Sequence, residues 1–205
     1  WSDPGPVRNP GSVQMAEVVS HLHAKLPAGT LVCNGAGNFA TWIHRFWPFR
    51  AFGTQLAPTS GSMGYGVPAA VGAKRLRPSA TVLCMAGDGD FLMNGQELAT
   101  AVQYDLPVLI IVVDNGMYGT IRMHQERHYP GRISATYLKN PDFAAYARAF
   151  GGHGERVERT EDFAPALERA LQSGKPAILH CLIDPEAITP TTTLTAIREK
   201  ALAET

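Results

Sequence analysis

Two kinds of apolar pattern alternate along the chain. Continuous runs occupy Leu31 to Cys33, Thr81 to Ala86, Pro107 to Val113 and Pro176 to Ile183. Such runs, without polar alternation, suit parallel strands buried on both faces. Between and around them, Val13 to Leu26, Asn94 to Tyr104, Pro141 to Phe150 and Glu161 to Leu171 have the spacing of helices. Ser12 is expected to cap the first of these, and Pro27 and Gly29 to end it. Gly61 to Leu76 carries glycine and alanine at close spacing, as a helix packed tightly on a sheet does, with Pro68 near its first turn. Val157 belongs to a further short strand. Strands alternating with helices at this spacing predict a doubly wound, mostly parallel α/β sheet with helices on both faces and right-handed crossovers. Residues 1–12 are rich in Pro and Gly and are expected to form a linker to something preceding them. Residues 13–185 would form the domain, and the threonine-rich 186–205 a C-terminal tail.

The strand ends carry the candidate chemistry. Asn34 to Asn38, Gly87 to Asp90 and Asp114 to Gly119 each follow a predicted strand and are polar or glycine-rich. In a doubly wound sheet such turns share one rim, where ligands bind. Asp88 ends one strand and Asn115 the next, roughly 27 positions later. Side by side, they offer a carboxylate and an amide oxygen to one point, and a carbonyl from the following turn adds a third ligand. Hard oxygen ligands, with waters and phosphate oxygens completing an octahedron, describe a magnesium site shared with a diphosphate. Glycines let backbone N–H groups approach the phosphates closely, and a helix starting after each turn adds its positive end.

Composition narrows the classes. The 205 residues suffice for one α/β domain with a sizeable core, since 45% are hydrophobic. A formal net charge of zero argues against a nucleic-acid or acidic-membrane surface. No apolar run reaches the length of a membrane span. Cys33, Cys84 and Cys181 lie far apart with no metal-ligand spacing, as reduced core thiols of a cytoplasmic protein do.

The segment Gly87-Asp88-Gly89-Asp90-Phe91-Leu92-Met93-Asn94-Gly95-Gln96-Glu97-Leu98, running into Leu106-Pro107-Val108 and then Val113-Asp114-Asn115-Gly116-Met117-Tyr118-Gly119, resembles the thiamine-diphosphate motif. Ser60-Gly61-Ser62-Met63-Gly64-Tyr65-Gly66-Val67-Pro68-Ala69-Ala70 is similar to the corresponding stretch of the acetolactate synthase family. The likeness covers roughly residues 13 to 183. Gly-Asp-Gly or Asp-Asn-Gly alone is usually only a turn, and Met63 alone would be core. Their joint occurrence at the family's spacing carries the resemblance.

The resemblance implies that Asp88 and Asn115 hold magnesium by their side chains and Met117 by its carbonyl. Gly87, Gly89, Asp90, Tyr118 and Gly119 would serve the diphosphate, with the turn Gly37-Asn38-Phe39 closing over it. Gly61, Ser62 and Met63 would meet the aminopyrimidine, with the Met63 side chain as a wedge under the bent cofactor. It further implies a 2-keto-acid substrate, a homodimer or homotetramer, and a pyrimidine-binding domain, in cis or as a separate subunit, whose glutamate activates the cofactor. No such domain fits in this chain. Glu17, the one early acid after the linker, belongs on a solvated face, so the chain alone should turn nothing over.

The sequence departs from the family pattern in three places. Asp114 replaces the first of two usual asparagines. Asp90 sets a carboxylate beside the diphosphate unless its side chain turns away or reaches a metal-bound water. His124 stands where the family has a pocket-shaping tryptophan and is the substrate-pocket candidate; an ordinary histidine is the plainer alternative. Arg122, Arg127 and His128 either face a carboxylate substrate or form a solvated helix face. The aromatic run from Trp42 to Phe49 suits an interface or the core. His21 and His23 are expected to be structural, and His44, His153 and His180 have no recognisable partner. Two rival functions remain. Gly35-Ala36-Gly37-Asn38-Phe39-Ala40 fits the dinucleotide fingerprint of an NAD(P)-binding domain, although no acid lies between Glu17 and Asp88 to hold a ribose. A non-catalytic cofactor-binding subunit is the other.

Overall fold

A computed structural model describes residues 5–204; the first four residues of the expected linker and Thr205 of the expected tail lie outside the described residues. In chain order the elements are α1 (Met15–Lys25), β1 (Leu31–Asn34), α2 (Ala40–Phe46), β2 (Gln55–Leu56), α3 (Gly66–Leu76), β3 (Val82–Gly87), α4 (Asp88–Asn94), α5 (Leu98–Gln103), β4 (Leu109–Asp114), α6 (Gly119–His128), α7 (Phe143–Ala149), β5 (His153–Val157), α8 (Thr160–Gln172), β6 (Ala177–Leu182) and α9 (Leu194–Ala203). A 3₁₀ turn, Gly95–Glu97, joins α4 to α5.

The six strands form one sheet in the order β2-β1-β3-β4-β6-β5, and every pair is parallel. This is the doubly wound sheet expected from the continuous apolar runs. Side chains alternate between its faces. Leu83, Met85, Leu109, Ile111, Leu179 and Cys181 pack with α1, α2 and α8. Cys84, Ala86, Ile110, Val112 and Ile178 pack with α3, α4, α5 and α7 on the other side. Met85 and Ile111 have no exposed surface, so truncating either to alanine is expected to cost about 2–5 kcal/mol. The chain leaves β1 for β2 at one edge and returns to lay β3 on β1's other side. The crevice between the carboxyl ends of β1 and β3 is therefore a topological switch point.

The structure corrects several local expectations. Ser12 does not cap α1. Its carbonyl accepts the Thr160 N–H and hydroxyl, joining the entry of α1 to α8, and the residue preceding the helix is Gln14. The helix expected from Gly61 starts only at Gly66. Gly61 and Gly64 have φ of 70° and 79°, left-handed backbone that interrupts a right-handed helix. Gly-Asp-Gly is not a free turn, since Asp88 opens α4, where acids in the first turn suit the positive helix end. The aromatic run resolves to the core: Trp42, Phe46 and Trp47 are buried, with Phe49 and Phe52 left exposed. The tail contains α9, which packs on α6. β2, two residues long, has no apolar run to announce it.

Candidate functional site

The tips of β3 and β4 are adjacent because Gly87 pairs with Val113 in the sheet. Asp88 and Asn115 follow within two residues, and both line a cleft of about 220 Å³ at the switch point. Their oxygens approach one backbone group. The Met117 N–H lies 3.2 Å from Asp88 Oδ2 and 3.3 Å from Asn115 Oδ1. The turn bearing Met117 is strapped by Tyr118 N–H to the Thr136 carbonyl and Leu138 N–H to the Gly116 carbonyl, so its backbone is held rather than free.

Behind this point lies a buried polar chain. Asn140 Nδ2 donates to Asp88 Oδ2 and to Asp114 Oδ1, both at 2.8 Å. Asp114 also accepts from Gly116 N–H at 2.9 Å, and its Oδ2 lies 2.8 Å from His180 Nε2. Burial pushes the Asp88 carboxyl up, and the charge of Asp114 adds to this against the Asn140 and Gly89 hydrogen bonds. Burial pushes Asp114 the same way, but His180, the Gly116 N–H and Asn140 outweigh it and hold that carboxyl below its usual range. Two carboxylates thus share a desolvated strand tip, which is an environment that favours an added cation.

Around the carboxylates the cleft is shaped by close approaches. A Cβ on Gly89 would sit 2.5 Å from the Tyr118 ring, one on Gly87 2.6 Å from the Phe39 ring, and one on Gly119 2.9 Å from both Asn115 Nδ2 and Ile188 Cδ1. The turn after β1 is tied to the start of α6: Asn38 N–H donates to Thr120 Oγ1, whose hydroxyl donates to Asn38 Oδ1. Gly37, Asn38, Phe39, Gly61, Met63, Gly87, Gly89, Asp90, Met117, Tyr118 and Gly119 all line the cleft. Asp90 turns its side chain aside, accepting the Gly64 N–H at 2.7 Å, and burial pushes its carboxyl up to about 6 against that bond and one from Ala36.

Two nominated residues lie apart from the lining. Ser62 is exposed, its hydroxyl 2.7 Å from that of Ser60. His124 is exposed on α6, its ring parallel to that of His128. Neither alternative for Arg122 holds, because it is buried in an ion cluster with Glu126. His153 and His180 do have partners, Glu155 and Asp114, whereas Glu17 is exposed as expected. His21 and His23 pack edge-on against Phe163 and Trp47. Sequence reasoning missed Asn140, Thr120 and the cleft-lining Ala187 and Ile188. Of the missed contacts only that of His180 carried a signal: a polar residue inside a buried strand requires a partner.

Residues 35–181 match the profile of a known family, described as "Thiamine pyrophosphate enzyme, C-terminal TPP binding domain". The probable acetolactate synthase large subunit of Methanocaldococcus jannaschii is 35% identical over 178 residues, covering 86% of this chain and 30% of that protein. The acetolactate synthase isozyme 2 large subunit of Escherichia coli is 37% identical over 179 residues, covering 86% of this chain and 33% of that protein. The chain therefore spans about a third of the length of these relatives. The dinucleotide alternative is not favoured, and β2 ends without an acid to hold a ribose. With its parallel sheet, its cleft at the switch point and this match across most of its length, the chain belongs to the thiamine pyrophosphate enzymes, as a C-terminal cofactor-binding domain like that of the acetolactate synthases.

Proposed function

We propose that this chain is the diphosphate- and magnesium-binding part of a thiamine-diphosphate-dependent enzyme that decarboxylates a 2-keto acid such as pyruvate and ligates the product to an acceptor. The observation that carries the proposal is the convergence of Asp88 and Asn115 on the single Met117 N–H inside the cleft. A carboxylate and an amide oxygen at one point, above a desolvated acid pair, fit a hard divalent cation. Asp88, Asn115 and the Met117 carbonyl would hold that cation.

Gly87, Gly89, Asp90, Tyr118 and Gly119 would present backbone groups to the diphosphate, and the Gly37-Asn38-Phe39 turn would cover it. Gly61, Ser62 and Met63 would meet the pyrimidine. The close approaches at Gly87, Gly89 and Gly119 support this role, because side chains there would displace Phe39, Tyr118 and Asn115. Asp90, with its carboxylate bonded to Gly64, leaves the cleft less charged than its position in the motif implies. The cofactor itself supplies the carbanion chemistry, and this chain binds and orients it.

The activating glutamate belongs to a pyrimidine-binding domain, in cis or on a partner subunit. The chain alone is therefore inactive, and the active assembly is a homodimer or homotetramer. The exposed His124 would then face the second keto acid from the rim of α6, with no direct contact to the cofactor. Three buried free thiols suit the cytoplasm. Among the described residues, no helix is long and apolar enough to cross a membrane.

Isothermal titration of the assembled protein with thiamine diphosphate tests the site. Binding that requires magnesium, and is lost with EDTA, is the expected result. Equal affinity with and without the metal would refute the cation assignment.

A further inference from the structure

Asn140 was not nominated by any motif, yet its amide is the only group among the described residues that bonds both carboxylates at the β3 and β4 tips. We infer that Asn140 is a positioning residue for the cation site, bridging Asp88 to Asp114 and thereby holding the Asp88 carboxylate in its orientation toward the cleft. The inference rests on the site reading given above.

The bridge has a definite chemical logic. Ionised carboxylates only accept hydrogen bonds, so the face of Asn140 turned to them must be its NH₂, and each of its two hydrogens serves one acid. The amide oxygen is buried and has no hydrogen-bond partner among the described residues, which leaves the donors as the side chain's working end. Asp114 is itself anchored from β6 by His180 and from its own turn by the Gly116 N–H. A continuous chain, His180–Asp114–Asn140–Asp88, therefore runs across the three neighbouring strands β6, β4 and β3. Phe143, at the start of α7, packs edge-on against the His180 ring and braces its far end. Remove the amide and two like charges face each other across adjacent strands, with only the Gly89 and Met117 N–H groups left to hold the Asp88 oxygens. The need for the bridge arises from this chain's Asp114; an asparagine there would remove the second charge and could itself donate to Asp88.

The test uses the assembled protein, this chain together with its pyrimidine-binding domain, with Mn²⁺ as the probe and thiamine diphosphate in excess. Electron paramagnetic resonance of free Mn²⁺ gives the affinity directly. Asn140→Ala is expected to weaken Mn²⁺ binding by about tenfold to hundredfold, as loss of a group orienting a metal ligand does. Excess Mg²⁺ should restore turnover. In an Asp114→Asn background the same substitution should cost less than about threefold, because the repulsion it exposes is gone. Should Asn140→Ala fail to fold, Asn140→Ser, which keeps one donor, is expected to show an intermediate loss. Wild-type Mn²⁺ affinity in a folded Asn140 variant, or a lowered melting temperature with unchanged affinity, would overturn the inference while leaving the site intact. Absence of Mn²⁺ binding by the wild type would instead overturn the site assignment itself.

Discussion

Replacing Glu126 by glutamine removes one charge from the junction of α6 and α9. The Glu126 side chain is 1% exposed and that of Arg122 4%, whereas Arg198 is 33% exposed. Glu126 accepts from Arg122, from Arg198 at 2.8 and 2.6 Å, and from the Gly131 N–H at 2.8 Å. Glutamine would leave Arg122 buried without a counter-charge and turn an NH₂ group toward other donors. Breaking a buried pair from one side costs about 3–5 kcal/mol. The same contacts also shift the titration of Glu126. The Arg198 hydrogen bonds, with help from the Gly131 N–H and Arg122 and against burial, take the Glu126 carboxyl from 4.5 to about 2. That shift corresponds to roughly 3 kcal/mol at neutral pH. For a domain of this size the loss should lower the melting temperature by about 6–20 °C. Because the folded pKa is depressed, the contribution is complete above the unfolded value and disappears as pH falls toward 2. By about pH 3 less than half of it should remain, by the same linkage. Urea unfolding of both proteins at pH 7 and at the lowest pH where the wild type stays folded measures the gap. A difference below about 1 kcal/mol at pH 7, or one that fails to shrink in acid, would refute the argument.

Three further outcomes follow from the site. Asp88→Ala should abolish magnesium-dependent retention of thiamine diphosphate in the assembled protein, and unchanged retention by calorimetry would contradict the cation assignment. Gly89→Ala would place a methyl against the Tyr118 ring, and overpacking of about 1–3 kcal/mol should appear as a roughly tenfold weaker cofactor affinity; wild-type affinity would show that the tyrosine yields freely. His124→Trp should leave cofactor affinity unchanged while shifting the ratio of carboligation products with competing acceptors, because His124 lies outside the cleft lining. A large loss of affinity would show that the residue touches the cofactor.

Much of the site was legible before the structure, for a physical reason. Buried parallel strands need unbroken apolar runs, and their ends need glycine and short polar residues, so the tips of β1, β3 and β4 could be placed along the chain. The edge strand β2 escaped because two residues carry no periodicity. The helical character of Asp88 to Asn94 escaped because Gly-Asp-Gly has weak helix propensity, and packing of Phe91 against Phe143 and Tyr146 overrides it. Arg122 and Glu126 sit four apart, as a solvated ion pair does, and only α9 folding back with Arg198 buries them.

By itself the sequence determined the sheet class, the succession of buried strands with several of the helices between them, and the turns bearing Asp88, Asn115 and Met117, because these depend on local pattern and on spacing along the chain. Tertiary structure alone decided the partners. Asn140 is 52 positions from Asp88, and His180 is 66 from Asp114. Ile188 reaches the cleft from a tail whose sequence reads as irregular. Hydrogen bonds and ion pairs between such distant residues depend on which strands the sheet makes neighbours. That adjacency follows from burying two layers of helices at once, so no local stretch of the chain contains it.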